Sequence, residues 1–232
     1  MPDQPRISVI IPVFNEQDAI QKVIGDIPSN LPTEIIVVDN GSTDQTAKLA
    51  AAMGARIVPE SRRGYGSACL TGIAATNRPD IVVFLDGDYS DHPNEMPTLV
   101  APILEKRADL VIGSRVLGNR EPGALMIQAR FGNWLATYLI DMLFKLHYTD
   151  LGPFRAISYS ALMKLDMQDT TFGWTVEMQV KAAKQALKTC EVPVSYRRRI
   201  GVSKITGTLK GTLAAGWKIL FTIFKYRFTR AR

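Results

Sequence analysis

Ile81-Val82-Val83-Phe84-Leu85, followed at once by Asp86-Gly87-Asp88, is the stretch that decides the fold of this chain. Five consecutive apolar residues, rich in β-branched and aromatic types, describe a strand buried on both faces, as in a parallel sheet. Two carboxylates one residue apart at its end can both face the sheet edge where ligands of open α/β sheets bind. A bare Asp-x-Asp is common in surface turns; its place directly after a buried strand makes this one informative. Mg2+ and Mn2+ prefer hard oxygen ligands and share their sphere with substrate phosphates, so they are the ions that Asp86 and Asp88 suit.

Working outward, the same pattern recurs. Ile7 to Pro12 is a short β-rich run, Asn15-Glu16 opens a helical stretch through Ile27, and Glu34 to Asp39 is a second strand closed by Asn40-Gly41-Ser42. A helix from Thr43-Asp44 to Met53, stopped by Gly54, leads to a strand over Ala55 to Val58. The loop Arg62-Arg63-Gly64-Tyr65-Gly66 enters a helix ending at Ala75, and after Asp88 come a helix from Glu95 to Lys106 and a strand from Asp109 to Gly113. Unbroken alternation predicts an α/β fold with a mostly parallel central sheet flanked by helices on both faces. Pro12, Asp39 and Asp86 then gather along one edge. Beyond Gly118 the expected elements are helices over Ile127 to Leu146, Val176 to Ala186 and Leu209 to Phe228, with a strand over Cys190 to Tyr196. The expected organisation is one composite domain over 1–208, with a nucleotide-binding half to about 118 and an acceptor half after it, and a basic amphipathic helix over 209–232.

The formal charge is +6, and its distribution matters more than its size: from Val192 onward there are ten Lys or Arg and no Asp or Glu. Such a segment favours an anionic partner: substrate phosphates, anionic lipid headgroups or nucleic acid. It also carries Trp217, Phe221, Phe224 and Phe228, which a merely solvated tail does not need. No window of about 18 uncharged apolar residues exists, which argues against a membrane span. Cys69 and Cys190 match no metal or redox spacing and are read as small apolar residues. With no charged-then-apolar leader, the expected location is cytoplasmic, peripheral on the inner face of the membrane. His92 and His147 are read as structural. Trp134, Tyr138, Leu139, Met142 and Leu143 form an apolar stripe suited to a core or to an in-plane membrane surface.

Taken together, Pro12 to Glu16, Val38 to Thr46, Asp86-Gly87-Asp88, Gly113-Ser114-Arg115, Asp150 to Arg155 and Arg199 to Lys204 resemble the inverting family 2 glycosyltransferases, most closely the polyprenyl-phosphate sugar synthases. The resemblance spans nearly the whole chain. It implies a GT-A fold of Rossmann-like character and transfer of a sugar from a UDP- or GDP-sugar to a polyprenyl phosphate, assisted by Mg2+ or Mn2+. It further implies that Pro12, Asn15, Glu16 and Asp39 line the base and ribose pocket, with Gly64, Gly87 and Ser203 also on the donor side and Asp86 and Asp88 on the metal. Asp88, Arg115, Arg199 and Lys204 become the catalytic carboxylate and cations, the cations stabilising charge on the departing diphosphate. Arg197 and Arg198 are expected at the surface or against lipid.

Glu177 has three readings: a general base, a sugar-binding carboxylate, or a helix N-terminal residue placed well against the dipole. A phosphate acceptor is already ionised and needs no base. Trp174-Thr175-Val176-Glu177-Met178 stands where sugar-acceptor relatives carry a Glu-Asp pair, which favours a phosphate acceptor. Two other functions stay open at this point: a soluble transferase acting on a small or saccharide acceptor, and a non-catalytic nucleotide-sugar or lipid-binding module. No nucleic-acid recognition motif is present. Homo-oligomerisation is left open.

Overall fold

The structure, a computed structural model, describes residues 5–31, 33–201 and 209–229, with side chains in the last segment from 214 onward. Ser203 and Lys204 therefore lie outside the described residues. Among the described residues seven strands form one sheet: β1 (Ile7–Val13), β2 (Thr33–Asp39), β3 (Arg56–Pro59), β4 (Ile81–Phe84), β5 (Leu110–Ser114), β6 (Arg155–Ser158) and β7 (Thr189–Pro193), in the order β3-β2-β1-β4-β6-β5-β7. β1 pairs in parallel with β2 and β4, β2 with β3, and β5 with β7, whereas β6 runs antiparallel between β4 and β5. The helices are α1 (Ile20–Gly25), α2 (Thr46–Ala52), α3 (Tyr65–Ala75), α4 (Met96–Leu104), α5 (Ile127–Phe144), α6 (Tyr159–Leu165), α7 (Trp174–Lys184) and α8 (Leu209–Phe228).

Strand periodicity divides the core. Ile7, Val9, Ile11 and Val13 point to the face that packs on α1, α2 and α4, together with Val37, Val83 and Leu85. Ile10, Ile36, Val38, Val82 and Phe84 point to the other face, against α3, α5, α6, α7 and α8. Both faces are dry, which is why these strands read as continuous apolar runs.

The structure departs from the sequence expectation at two places. Asn15 does not start a helix: it adopts φ 54°, in the left-handed region, and the helix begins at Ile20. β6 and α6 were not anticipated, because Arg155-Ala156-Ile157-Ser158 opens on a charged residue and shows no clear alternation. That arginine is fully buried and donates to the carbonyl oxygens of Leu151, Gly152 and Thr175. Burial pushes its pKa down to about 10. β6 and β7 place residues from beyond 118 in the same sheet as the N-terminal strands.

α8 lies against α5 and α7. It buries Thr222, Ile223 and Tyr226, and the Tyr226 hydroxyl donates to Glu177 Oε1 at 2.5 Å. Trp217, Phe221, Phe224 and Phe228 remain exposed, at 73, 51, 44 and 82%. Cys69 is buried, Cys190 partly so, and both are free. No helix among the described residues is long and apolar enough to cross a membrane.

Candidate active site

The carboxyl ends of β1, β2, β4 and β5 bring Pro12-Val13, Asp39, Asp86 and Ser114-Arg115 to one edge of the sheet. Gly87 allows the chain to turn there, since a methyl group on it would stand 2.6 Å from Val13 Cγ1 and 3.5 Å from the Pro12 oxygen. Asn15 and Glu16 are knitted to the turn after β2: Thr43 N donates to Asn15 Oδ1 at 2.8 Å, Asn15 N to Ser42 Oγ at 3.0 Å and Glu16 N to Thr46 Oγ1 at 2.8 Å. Asp39 accepts from Ser42 N at 2.9 Å, which shapes the same turn. Asn40 donates to the oxygens of Glu60 and Arg62 and accepts from Gly64 N at 2.8 Å. An aspartate there could accept but not donate, so the amide is what holds the 60–64 loop. Arg63 stacks on the Phe14 ring, 3.7 Å from its centroid, beside that loop.

Three carboxylates form the centre. Asp86 accepts from the Tyr65 hydroxyl at 3.0 Å. Asp88 is ion-paired with Arg199 through one oxygen and accepts from Ser90 N and Oγ, at 2.9 and 2.5 Å, through the other. Asp91 is fully buried, and neither of its carboxylate oxygens has a hydrogen-bond partner among the described residues. Burial, reinforced by the charge of Asp88, pushes the Asp86 pKa up to about 6. Burial and the charges of Asp86 and Asp88 push Asp91 well above the usual carboxylate range. Crowded, desolvated carboxylates with orphaned oxygens fit a hard divalent cation, which would supply the missing charge. No closed cage of three protein ligands exists among the described residues. That openness matches an ion whose remaining ligands come from substrate phosphates. Ser90 holds Asp88 in place with its hydroxyl.

Cations surround the carboxylates in two layers. Arg199 is one-third exposed and reaches the Asp88 carboxylate, while the backbone N of Ile200 donates to the Asp88 backbone carbonyl oxygen at 2.9 Å. Arg115 is nearly buried, with Nε and Nη2 on Asp150 at 2.8 and 2.7 Å and its backbone N on the same carboxylate. Against the cost of burial, Arg115 holds the Asp150 carboxyl below its ordinary value. Arg197 is no surface residue, contrary to expectation: it stacks 3.3 Å over the Tyr89 ring and donates to the backbone carbonyl oxygens of Tyr89 and Asp91. Arg198 is exposed and turns toward Pro122.

Glu177 does not fit the role of a general base. It is fully buried in the first turn of α7, pairs with Lys181 at 2.8 Å and accepts from the backbone N of Gln168 and Asp169 and from Tyr226. Of its three readings, the helix N-terminal one agrees with this position. Trp174 is core, 4.5 Å from the Phe84 ring centroid. Sequence reasoning passed over the Tyr65 hydroxyl and the pairing of Asp150 with Arg115. Asp150 carried a signal, standing at the head of the quoted Asp150 to Arg155 block; the Tyr65 contact depends on long-range packing.

Comparison with known proteins bears on this geometry. The sequence pattern of glycosyl transferase family 2 matches residues 8–166. An uncharacterized glycosyltransferase of Mycobacterium tuberculosis is 37% identical over 220 residues, covering 92% of this chain and 97% of that one. The undecaprenyl-phosphate mannosyltransferase of Micrococcus luteus is 27% identical, with 92 and 96% covered. Among solved structures, glucosyl-3-phosphoglycerate synthase of M. tuberculosis, in complex with Mn2+, UDP and glucosyl-3-phosphoglycerate, superposes with a TM-score of 0.78 at 27% identity, covering 98% of this chain and 81% of the other. The chain belongs to glycosyl transferase family 2.

Proposed function

We propose that the chain transfers a sugar from a UDP- or GDP-sugar to a polyprenyl phosphate at the surface of a membrane, with inversion at the anomeric carbon. The transferase half of the proposal rests on the clustered Asp86, Asp88 and Asp91 carboxylates by the sheet edge, with Arg199 paired to Asp88. Asp86 and Asp88 would hold Mg2+ or Mn2+, which supplies positive charge against the diphosphate as it departs. Arg199, with Lys204 beyond the described residues, would bind the diphosphate or the acceptor phosphate, while Arg115 adds to the field from behind. Pro12, Asn15, Glu16 and Asp39, with Gly64, Gly87 and Ser203, would orient the nucleoside.

The observation that carries the acceptor is the outer face of α5 and α8. Ile127, Phe131, Trp134, Tyr138 and Met142 are exposed along α5 at helical spacing, and Trp217, Phe221, Phe224 and Phe228 continue the apolar surface on α8. Arg130, Lys145, Lys225 and Arg227 are exposed among them. Amphipathic aromatics edged by cations suit the headgroup region of an anionic bilayer, on which the protein would lie peripherally. The occupied Glu177 agrees with an acceptor that needs no base. The M. luteus relative, named for undecaprenyl phosphate, points the same way.

A second function is favoured by the glucosyl-3-phosphoglycerate synthase likeness: transfer to a small phosphorylated acceptor. One experiment separates them. Full-length protein is incubated with UDP- and GDP-sugars and either a short-chain polyprenyl phosphate or 3-phosphoglycerate, and products are detected by mass. A glycosylated polyprenyl phosphate is the expected product; transfer to phosphoglycerate alone would overturn the lipid acceptor.

A further inference from the structure

The N-terminus of α3 is held from outside. No side chain caps it, and the first N–H groups of any helix lack partners within it. Here Gly66 N donates to the Thr171 oxygen at 3.2 Å and Ser67 N to the Thr170 oxygen at 2.9 Å. The contact is backbone on backbone: a methyl group on Gly66 would stand 2.0 Å from the Asp169 oxygen, and one on Gly64 2.2 Å from the Thr170 oxygen. The far side of the same loop is gripped by α8, where Lys218 pairs with Asp169 Oδ2 at 2.9 Å. Glu177 fixes the loop from below by accepting from Gln168 N and Asp169 N. Tyr65 is the first residue of α3, its ring edge-on to buried Trp174 and its hydroxyl on Asp86.

We propose that Tyr65 is a positioning residue that fixes the orientation of the Asp86 carboxylate, and that the Asp169–Thr171 loop acts as a strut carrying the position of α8 to Tyr65. The inference takes from the proposed function only that Asp86 is a metal-binding carboxylate. A carboxylate has two oxygens and a freely turning bond; a donor on Oδ1 leaves Oδ2 aimed in one direction. The strut has a rigid construction, since two glycines bring backbones together without side chains between them. Lys218 is one-third exposed and can be removed without emptying the core.

Two readouts test this in the full chain. Mn2+ binding is followed by the EPR signal of the free ion, with and without UDP. Tyr65→Phe keeps the ring and removes only the hydroxyl; it should weaken Mn2+ binding by about tenfold, the scale of one hydrogen bond to a charged group. Amide hydrogen exchange gives the second readout: Lys218→Ala should speed exchange at Gly66 and Ser67 by about tenfold while the β1 amides stay protected. Lys218→Ala should also weaken Mn2+ binding, and the double variant should bind no worse than Tyr65→Phe alone. Unchanged Mn2+ binding in Tyr65→Phe, while Asp86→Asn abolishes it, would overturn the positioning role. Unchanged exchange at Gly66 and Ser67 in Lys218→Ala would overturn the strut. If Asp86→Asn still binds Mn2+ as the unmodified chain does, the metal assignment itself is refuted, and the exchange result still decides the strut.

Discussion

Arg115 and Asp150 form a buried ion pair, with 11 and 0% of their side chains exposed, in which three N–H groups converge on one carboxylate. Changing Asp150 to Asn keeps the shape but removes the charge and turns an NH2 toward a guanidinium. Two unit charges with centres about 4 Å apart attract by about 4 kcal/mol at an effective dielectric constant near 20. Breaking one partner of a buried pair characteristically costs about 3–5 kcal/mol, because the other charge is left without compensation. Asp150→Asn and Arg115→Met should therefore each lower unfolding free energy by about 3–5 kcal/mol in urea titrations at pH 7. Replacing both, Arg115→Met with Asp150→Leu, removes the desolvation cost together with the attraction and should recover most of that loss. The Asp150 pKa is depressed in the folded state, so its contribution is present above the unfolded value near 3.8 and fades as pH falls through the lower folded value. The reasoning is refuted if either single change costs less than about 1 kcal/mol, the scale of a surface pair, or if the double variant is no more stable than the worse single one.

Asp86 retains its proton to about pH 6, so protons should compete with the metal below that value, and Mn2+ binding should strengthen roughly tenfold from pH 5 to pH 7; a flat profile would dismiss Asp86 as a ligand. Without metal the sign reverses for stability, since a carboxyl raised from 3.8 favours the folded state only while protonated. Arg199→Ala should lose about 2–4 kcal/mol of transition-state stabilisation, whereas Arg198→Ala, whose guanidinium turns to Pro122, should keep near-normal turnover; equal losses would indicate a diffuse charge effect. Full-length Trp217→Ser/Phe221→Ser should sediment poorly with anionic vesicles in low salt and unfold like the unmodified protein, because both side chains are already exposed; undiminished sedimentation would remove α8 from the bilayer contact. Deleting α8 is the wrong test, since it would take Tyr226 away from buried Glu177.

Much of the fold was legible because strands buried on both faces announce themselves as apolar runs, and β1, β2, β4 and β5 fell within two residues of their expected bounds. The expected site residues at strand ends, Asp39, Asp86 and Arg115, were legible for the same reason: position along a strand determines the edge reached. β6 was not legible, because four residues led by a buried arginine carry neither periodicity nor polarity that marks a central strand. Glu177 could not be assigned from its neighbours in sequence, as Tyr226, 49 positions away, helps determine its use. α8 was anticipated with its bounds, yet one stripe of residues could not say whether it packed or faced outward. It does both, burying Ile223 and Tyr226 while leaving Trp217 and Phe228 outside.

The strand order has a consequence for biosynthesis. β5 borders β6 on one side and β7 on the other, and both follow it in the chain. When Leu110-Val111-Ile112-Gly113-Ser114 leaves the ribosome, the strands already made, β1 to β4, offer it no edge in the native register. Some forty residues must still be translated before Arg155–Ser158 can bridge it to β4, which at about 5–20 residues per second means roughly two to eight seconds. Throughout that interval an uncharged, fully apolar-to-small strand has both of its hydrogen-bonding edges open, beside a half-sheet whose β4 edge is open too. Nascent chains stalled within this window are where a holdase would find its grip, and where expression at high temperature would first turn to aggregates.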